Sequence, residues 1–133
     1  MIYDADGLLE LVAHFAARKC VPVPVGSATM LEIVDEAQRL SAGRTADEPA
    51  ALFFACARRA RLFGKVATSF LDVVGALQAD AVGLQLDATE LDLMLLRGRI
   101  AYGAQWPEVR AAFAKWARAP AEPNKRRPAK RPR

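Results

Sequence analysis

The sequence has few of the residue types on which most metal and thiol sites depend. Its 133 residues include one histidine, His14, and two cysteines, Cys20 and Cys56, which do not form a CxxC pair. The ligand spacing of zinc sites is therefore missing, and we expect no metal ion. We expect His14 to be half-buried or at the surface, and both cysteines to be small buried side chains.

Long apolar runs are also missing. No run of 18 or more apolar residues occurs, which argues against a membrane-spanning helix. The first ten residues, MIYDADGLLE, carry acids before their apolar stretch, the reverse of a secretory signal. We therefore expect a cytoplasmic protein that does not bind a membrane.

The positive charge is concentrated at one end of the chain. The net charge is +4, but residues 119–133 hold six basic side chains and one acid, so the rest of the chain is close to neutral. Four prolines and few apolar residues in this tail predict disorder. The expected organisation is a domain over 1–118 followed by a basic tail over 119–133.

Apolar periodicity and capping signals predict six helices, a short extended piece over 84–86 and no convincing sheet. The predicted helices cover about 5–19, 29–40, 49–61, 66–81, 89–102 and 106–118. Asp4 is available to cap the first helix, and Thr89 with Asp92 is predicted to open the fifth. Capping signals are also predicted at Thr29 for the second helix and at Thr45 for the third. The 66–81 segment is apolar on nearly every side, which is typical of a helix surrounded by others. The expected fold is a compact all-α bundle around that segment.

The stretch RLFGKVATSF, between the third and fourth predicted helices, has features of a binding loop. It contains Arg61, Gly64 and Lys65, followed by the hydroxyls of Thr68 and Ser69 in the first turn of the next helix. Free backbone amides at a helix start, beside two cations, suit a phosphate or a carboxylate. The alternative is that Thr68 and Ser69 cap the helix while Arg61 and Lys65 are solvated.

The order of these segments resembles the Fic/Doc proteins, and specifically the compact, all-helical Doc (death-on-curing) toxins of bacteria. Their signature, H-x-F-x-(D/E)-(G/A)-N-(K/G)-R, occupies the loop and first turn of a buried central helix. In an ungapped alignment Arg61 falls at the histidine, Phe63 at the phenylalanine, and Gly83 at the glycine that ends this helix. The segments ALFFACARRA, GLQLDATELDLMLLRGRIA and WPEVRAAFAKW extend the resemblance over residues 1–118.

The resemblance implies a transferase site whose reactive residues are replaced. In the family the histidine is the general base, the acid binds Mg²⁺, and loop amides and basic side chains bind nucleotide phosphates. Arg61 stands at the base and stays protonated at neutral pH. Lys65 stands at the acid, and Ala67, Thr68 and Ser69 stand at the Asn, Lys and Arg. We expect no ordinary Fic-type catalysis, with ATP and Mg²⁺ as cofactors only if an atypical activity persists.

Three functions remain open. The first is an inactive Fic/Doc protein of toxin–antitoxin type that binds a protein partner, either an antitoxin or a component of translation. The second is a binding module whose tail attaches to RNA or DNA through phosphate contacts. The third is a Fic-like AMP or phosphate transferase with an atypical base such as Asp72 or Asp80. The tail cations that would contact nucleic acid are Lys125, Arg126, Arg127, Lys130, Arg131 and Arg133.

Overall fold

The computed structural model describes residues 4–119 as six helices with one small sheet. The helices are α1 (Ala5–Arg18), α2 (Ser27–Ser41), α3 (Glu48–Ala57), α4 (Ala67–Ala81), α5 (Glu90–Ala101) and α6 (Trp106–Trp116). Short 3₁₀ segments, Thr45–Asp47 and Ala60–Val66, precede α3 and α4. The all-α, six-helix prediction is confirmed. The predicted disorder of the tail concerns residues that, from 120 onward, lie outside those described.

The sheet consists of two strands of two residues each, β1 (Gln85–Leu86) and β2 (Ala117–Arg118). They pair antiparallel, with Gln85 opposite Arg118 and Leu86 opposite Ala117. The predicted short extended piece after α4 is β1, but its partner at the end of α6 was not predicted. The pairing ties the end of the domain back to the segment that follows α4.

Two of the four predicted helix caps are confirmed. Asp4 accepts a hydrogen bond from the Gly7 amide at 2.8 Å, and Thr89 forms a capping box with Asp92 at 2.9 and 3.0 Å. The capping box predicted at Thr29 is wrong, because α2 begins two residues earlier. The carbonyl of Gly26 already accepts from the amide of Met30, so Thr29 lies inside the first turn. The capping signal predicted at Thr45 is wrong, because a 3₁₀ turn over Thr45–Asp47 leads directly into α3 and no side chain of residues 4–119 caps that helix.

The helix surrounded by the others is α3, and not the 66–81 segment that the sequence predicted to be central. All residues from Glu48 to Cys56 are buried, and α3 packs against α2, α4, α5 and α6. Small side chains at Ala50, Ala51 and Ala55 let these neighbours approach from every side. In contrast, α4 buries one face, formed by Phe70, Leu71, Val74, Gly75, Gln78 and Ala79.

Polar contacts connect α3 and the turn before it to other helices. Gln78 of α4 donates from Nε2 to Oε1 of Glu48 at 2.9 Å, and both side chains are buried. Just before α3, the carboxylate of Asp47 pairs with Arg44 at 2.6 Å and with Arg110 of α6 at 3.0 Å. Burial alone would raise the pKa of Asp47, but the hydrogen bonds from the two arginines outweigh it and lower that pKa.

The two cysteines have different surroundings. Cys56 is buried in α3 as predicted, and burial raises the pKa of its thiol. Cys20 is exposed, so its predicted burial is wrong. It follows the end of α1 with a φ of 56°, where the backbone turns away from the core. His14 lies at the surface, as predicted, with its ring 5.5 Å from that of Phe15.

Residues Ala60–Ala81 together have the length and apolar composition of a membrane span, and 44% of the most apolar window is buried inside the domain. A core helix passes the same test of length and composition. Non-helical backbone at Gly64 divides the stretch, so that α4 itself has 15 residues. About 20 residues are needed to cross a bilayer as one continuous helix.

Candidate functional site

The loop that carries the predicted site is held in place by one aromatic side chain and shaped by one glycine. Phe63 is fully buried and stacks on Phe70 of α4, with ring centroids 4.8 Å apart. The next residue, Gly64, has φ 53° and ψ −128°, a conformation available almost only to glycine. The chain therefore anchors at Phe63, changes direction at Gly64 and starts α4 at Ala67.

The polar residues of the loop lie at the surface. Arg61, Lys65 and Thr68 are exposed, and Ser69 is partly exposed. Within residues 4–119 no side chain caps α4, so the interpretation of Thr68 and Ser69 as capping residues is wrong. The amide of Ala67 instead bonds to the carbonyl of Gly64, because the 3₁₀ turn continues directly into the helix.

These side chains border different depressions of the surface. Arg61 borders a hollow of about 480 Å³ together with Arg58 and Ile100. Ser69 borders a second hollow of about 380 Å³, beside Arg18 and the end of α1. Lys65 and Thr68 belong to neither hollow. The anion-binding role of Arg61 and Lys65 stays a prediction, and Arg61 is the loop cation that faces a concave surface.

We call the first of these depressions the Arg58/Arg61 hollow. Its sides come from the end of α3, the start of the 3₁₀ segment and the end of α5. The residues around it are Ala57, Arg58, Ala60, Arg61, Ile100 and Ala101. Four aliphatic residues and two arginines thus border one depression. A carboxylate attached to an apolar segment matches this combination of groups.

One buried carboxylate fixes the arginines that follow α3. Glu36 of α2 is buried, and its two oxygens each lie 2.6 Å from a guanidinium nitrogen, one of Arg58 and one of Arg59. The guanidinium of Arg58 also lies 5.3 Å from the centre of the Phe54 ring, within the range of a cation–π contact. Arg58 therefore reaches the hollow from a fixed position.

Sequence reasoning missed this cluster. From the sequence, Arg58 and Arg59 are interpreted as basic residues at the end of a helix, where they complement the helix dipole. The available signal was the position of Glu36, an acid on the same face of α2 as Ile33 and Ala37, both fully buried. A charge on the apolar face of a helix requires a partner, and here two arginines supply it.

The two carboxylates considered as atypical bases are not brought together. Asp72 lies towards α5, where burial and then the charge of Glu90 raise its pKa, against the opposing effect of Arg97. Asp80 is exposed and borders a different hollow next to β1. In the part of the chain that the structure describes, no group of three or more His, Cys, Asp or Glu side chains has a metal-binding arrangement.

No family model, no curated protein and no solved structure matches the chain. The resemblance to Fic/Doc proteins stays a prediction that depends on Phe63, on Gly83 and on the order of the helices. The six tail cations predicted to contact nucleic acid, Lys125 to Arg133, lie outside the described residues.

Proposed function

We propose that this chain is a non-catalytic binding protein whose partner is another protein, and that the partner binds at the Arg58/Arg61 hollow. The observation that carries the proposal is that four aliphatic residues and two arginines border one depression, and that one of these arginines belongs to the loop. Arginine is enriched in protein interfaces because its planar group binds carboxylates through two hydrogen bonds and also packs on apolar surface.

The charge of the hollow indicates the chemistry of the partner. Arg61 is exposed, and no acidic side chain of residues 4–119 lies within ion-pair distance of it. Arg58 is held by Glu36 but remains half exposed. The partner segment is therefore acidic and carries apolar side chains that contact Ala57, Ala60 and Ala101, beside the buried Ile100.

We further propose that the protein is a degenerate Fic/Doc protein of toxin–antitoxin type, in which the loop has lost its catalytic residues and kept a surface that binds the partner. Two features support this. The order of α3, loop, α4, extended strand and α5 follows the expected order, and Phe63 fills the core as a motif phenylalanine should. Because fold does not determine function, this proposal depends on motif positions alone. Arg61 at the position of the base does not accept a proton at neutral pH.

The test is affinity capture from a lysate of the source cells with matched charge reversals. Arg61→Glu changes a residue that borders the hollow, while Lys65→Glu makes the same charge change four residues away, outside it. We expect the wild type and Lys65→Glu to retain one protein with an acidic segment. Arg61→Glu should weaken its binding about 10- to 100-fold, the loss expected for one charge-assisted contact. Retention by Arg61→Glu, or equal loss with both variants, would contradict the proposal.

Truncation after Arg118 distinguishes nucleic-acid binding by the tail from partner binding at the Arg58/Arg61 hollow. If the tail cations bind RNA or DNA, the truncated protein should lose nucleic-acid binding while its helical circular dichroism is unchanged. Wild-type binding should then also weaken steeply with salt. If the Arg58/Arg61 hollow binds the partner, truncation should leave partner capture intact. The two results identify which surface carries the function.

A further inference from the structure

Helix α5 has two apolar stripes on opposite faces. The inner stripe, Leu93, Leu96 and Ile100, is buried against the core. The outer stripe, which we call the α5 outer face, starts at Leu91 and continues through Met94 and Leu95. These three side chains are 54–58% exposed, and Tyr102, at the end of the helix, is 95% exposed. Spacings of three, four and eleven residues put all four on one side of the helix.

Gly98 lies in the same outer stripe, one turn after Leu95. A methyl group added at Gly98 would meet nothing within 4 Å, so no contact within the domain requires a glycine there. Glycine inside a helix is unfavourable relative to alanine. Close approach of a second helix gives this glycine a physical reason, since small residues let helix axes come nearer to each other.

The charges beside the outer face select the kind of partner. Glu90 and Asp92 lie in the first turn of α5, and Asp92 also closes the capping box with Thr89. Arg97 and Arg99 lie in its last turns, and Arg99 also pairs with Glu108 at 3.2 Å. At 100° per residue, Glu90 and Arg97 border one flank of the stripe, and Asp92 and Arg99 border the other. In an antiparallel pair of identical helices, equal flanks face each other, so each acid faces an arginine of the second copy. A parallel pair would bring acid to acid and arginine to arginine.

We propose that the protein forms a homodimer through the α5 outer face, with the two α5 helices antiparallel about a two-fold axis near Met94 and Leu95. In this register Leu91 of each copy lies over Gly98 of the other, and Met94 lies opposite Leu95. The interface is self-complementary, as a two-fold axis requires. The flanking charges set the orientation more than the affinity.

The size of the face sets the expected strength. From Leu91 to Tyr102 the stripe extends about 17 Å along the helix. A contact of this length on a single helix buries less surface than the standard interface of about 800 Å² per partner. We therefore expect a dissociation constant of about 1–100 μM, so that monomer and dimer exchange. None of the outer-face residues borders the Arg58/Arg61 hollow, although Ala101 at the edge of that hollow is next to Tyr102.

Sedimentation velocity over a range of concentrations tests the dimer. The wild type should shift from monomer to dimer between about 1 and 500 μM. Leu95→Glu should stay monomeric over this range. Leu31→Glu, which changes an equally exposed leucine (53%) on α2, should dimerise like the wild type. Thermal melting by circular dichroism verifies that both variants fold. A wild type that stays monomeric throughout, or a dimer unaffected by Leu95→Glu, would overturn the proposal.

Cross-linking tests the orientation. In a Cys20→Ser background, which removes the exposed native thiol, Met94→Cys lies near the two-fold axis and should form an intermolecular disulfide. Tyr102→Cys should not, because an antiparallel pair separates the two copies of this position by about 22 Å along the axis. In a parallel pair both variants would cross-link, so equal cross-linking would refute the antiparallel arrangement.

Discussion

Replacing Glu36 with glutamine should lower the free energy of unfolding by about 2 kcal/mol, because it removes the charge that holds two arginines. The side chain of Glu36 is only 9% exposed, while those of Arg59 and Arg58 are 26% and 51% exposed. Each pair has a nitrogen–oxygen distance of 2.6 Å. Arg58 donates a hydrogen bond to Glu36, whereas Arg59 lies at ion-pair distance from the other oxygen and donates its hydrogen bond to the carbonyl of Ala55. Geometry therefore favours the Arg58 pair, and shielding from solvent favours the Arg59 pair.

Neither pair combines hydrogen-bond geometry with full burial. A charge-assisted hydrogen bond that is largely shielded from water contributes about 1.5–3 kcal/mol, whereas an ion pair with a solvated partner contributes about 0–1 kcal/mol. Arg58 makes the hydrogen bond but is half exposed, and Arg59 is more shielded but makes only the ion pair, so each pair should contribute about 1–1.5 kcal/mol. Glutamine keeps one oxygen as an acceptor, so the expected loss of about 2 kcal/mol is less than the sum of both pairs.

Urea denaturation followed by circular dichroism measures this loss. The matched control is Asp35→Asn, which removes a neighbouring but exposed acid and should change stability by less than about 0.5 kcal/mol. The melting temperature of Glu36→Gln should fall by roughly 6–10 °C. If Glu36→Gln unfolds within 0.5 kcal/mol of the wild type, or if Asp35→Asn costs as much, the reasoning from burial and geometry is refuted.

Three further predictions concern stability, each measured by urea denaturation. Gly64→Ala should lower the free energy of unfolding by about 1–3 kcal/mol through backbone strain, although there is space for the added methyl group. Its control, Gly26→Ala, changes a glycine with an ordinary φ and should lower that free energy by under about 1 kcal/mol. Arg110→Ala should lower the free energy of unfolding by about 0.5–1 kcal/mol at pH 7, because it raises the lowered pKa of Asp47; the difference should shrink as the pH falls below the ordinary aspartate value of 3.8 and Asp47 becomes protonated. A loss that persists at low pH would contradict this cause. Asp72→Asn should raise the free energy of unfolding by up to about 0.5 kcal/mol at neutral pH and should leave it unchanged below pH 3.8. The pKa of Asp72 is raised in the folded protein, so ionisation of this carboxyl opposes folding as the pH rises.

Local signals in the sequence located the helices well because they act over a few residues. Asp4 caps α1, and Thr89 with Asp92 starts α5, as the spacing of side chain and amide requires. The Thr29 signal failed because the backbone of Gly26 began the helix first. A capping pattern states where a cap is possible, and the preceding chain decides where the helix begins.

Contacts between residues far apart in the sequence determine the features that local patterns did not predict. The surrounded position of α3 depends on how closely four other helices approach its alanines, and apolar periodicity carries no information about distance between helices. Glu36 meets Arg58 from 22 residues away. Ile100 joins Arg61 at one hollow across a separation that no local pattern spans. The glycine in RLFGKVATSF fits a turn between two helices, but no local pattern indicates that Arg61 and Ser69 border different hollows.

The most direct test of the central claim, that the loop binds and does not catalyse, is label transfer from ATP. The purified protein is incubated with Mg²⁺ and bacterial lysate, with ATP labelled at the α- or the γ-phosphate in parallel reactions. The Arg61→Ala, Lys65→Ala double variant serves as the control. We expect no labelled target above this control with either nucleotide. Label on a target that disappears in the double variant would contradict the account, and the labelled phosphate would distinguish adenylylation from phosphorylation.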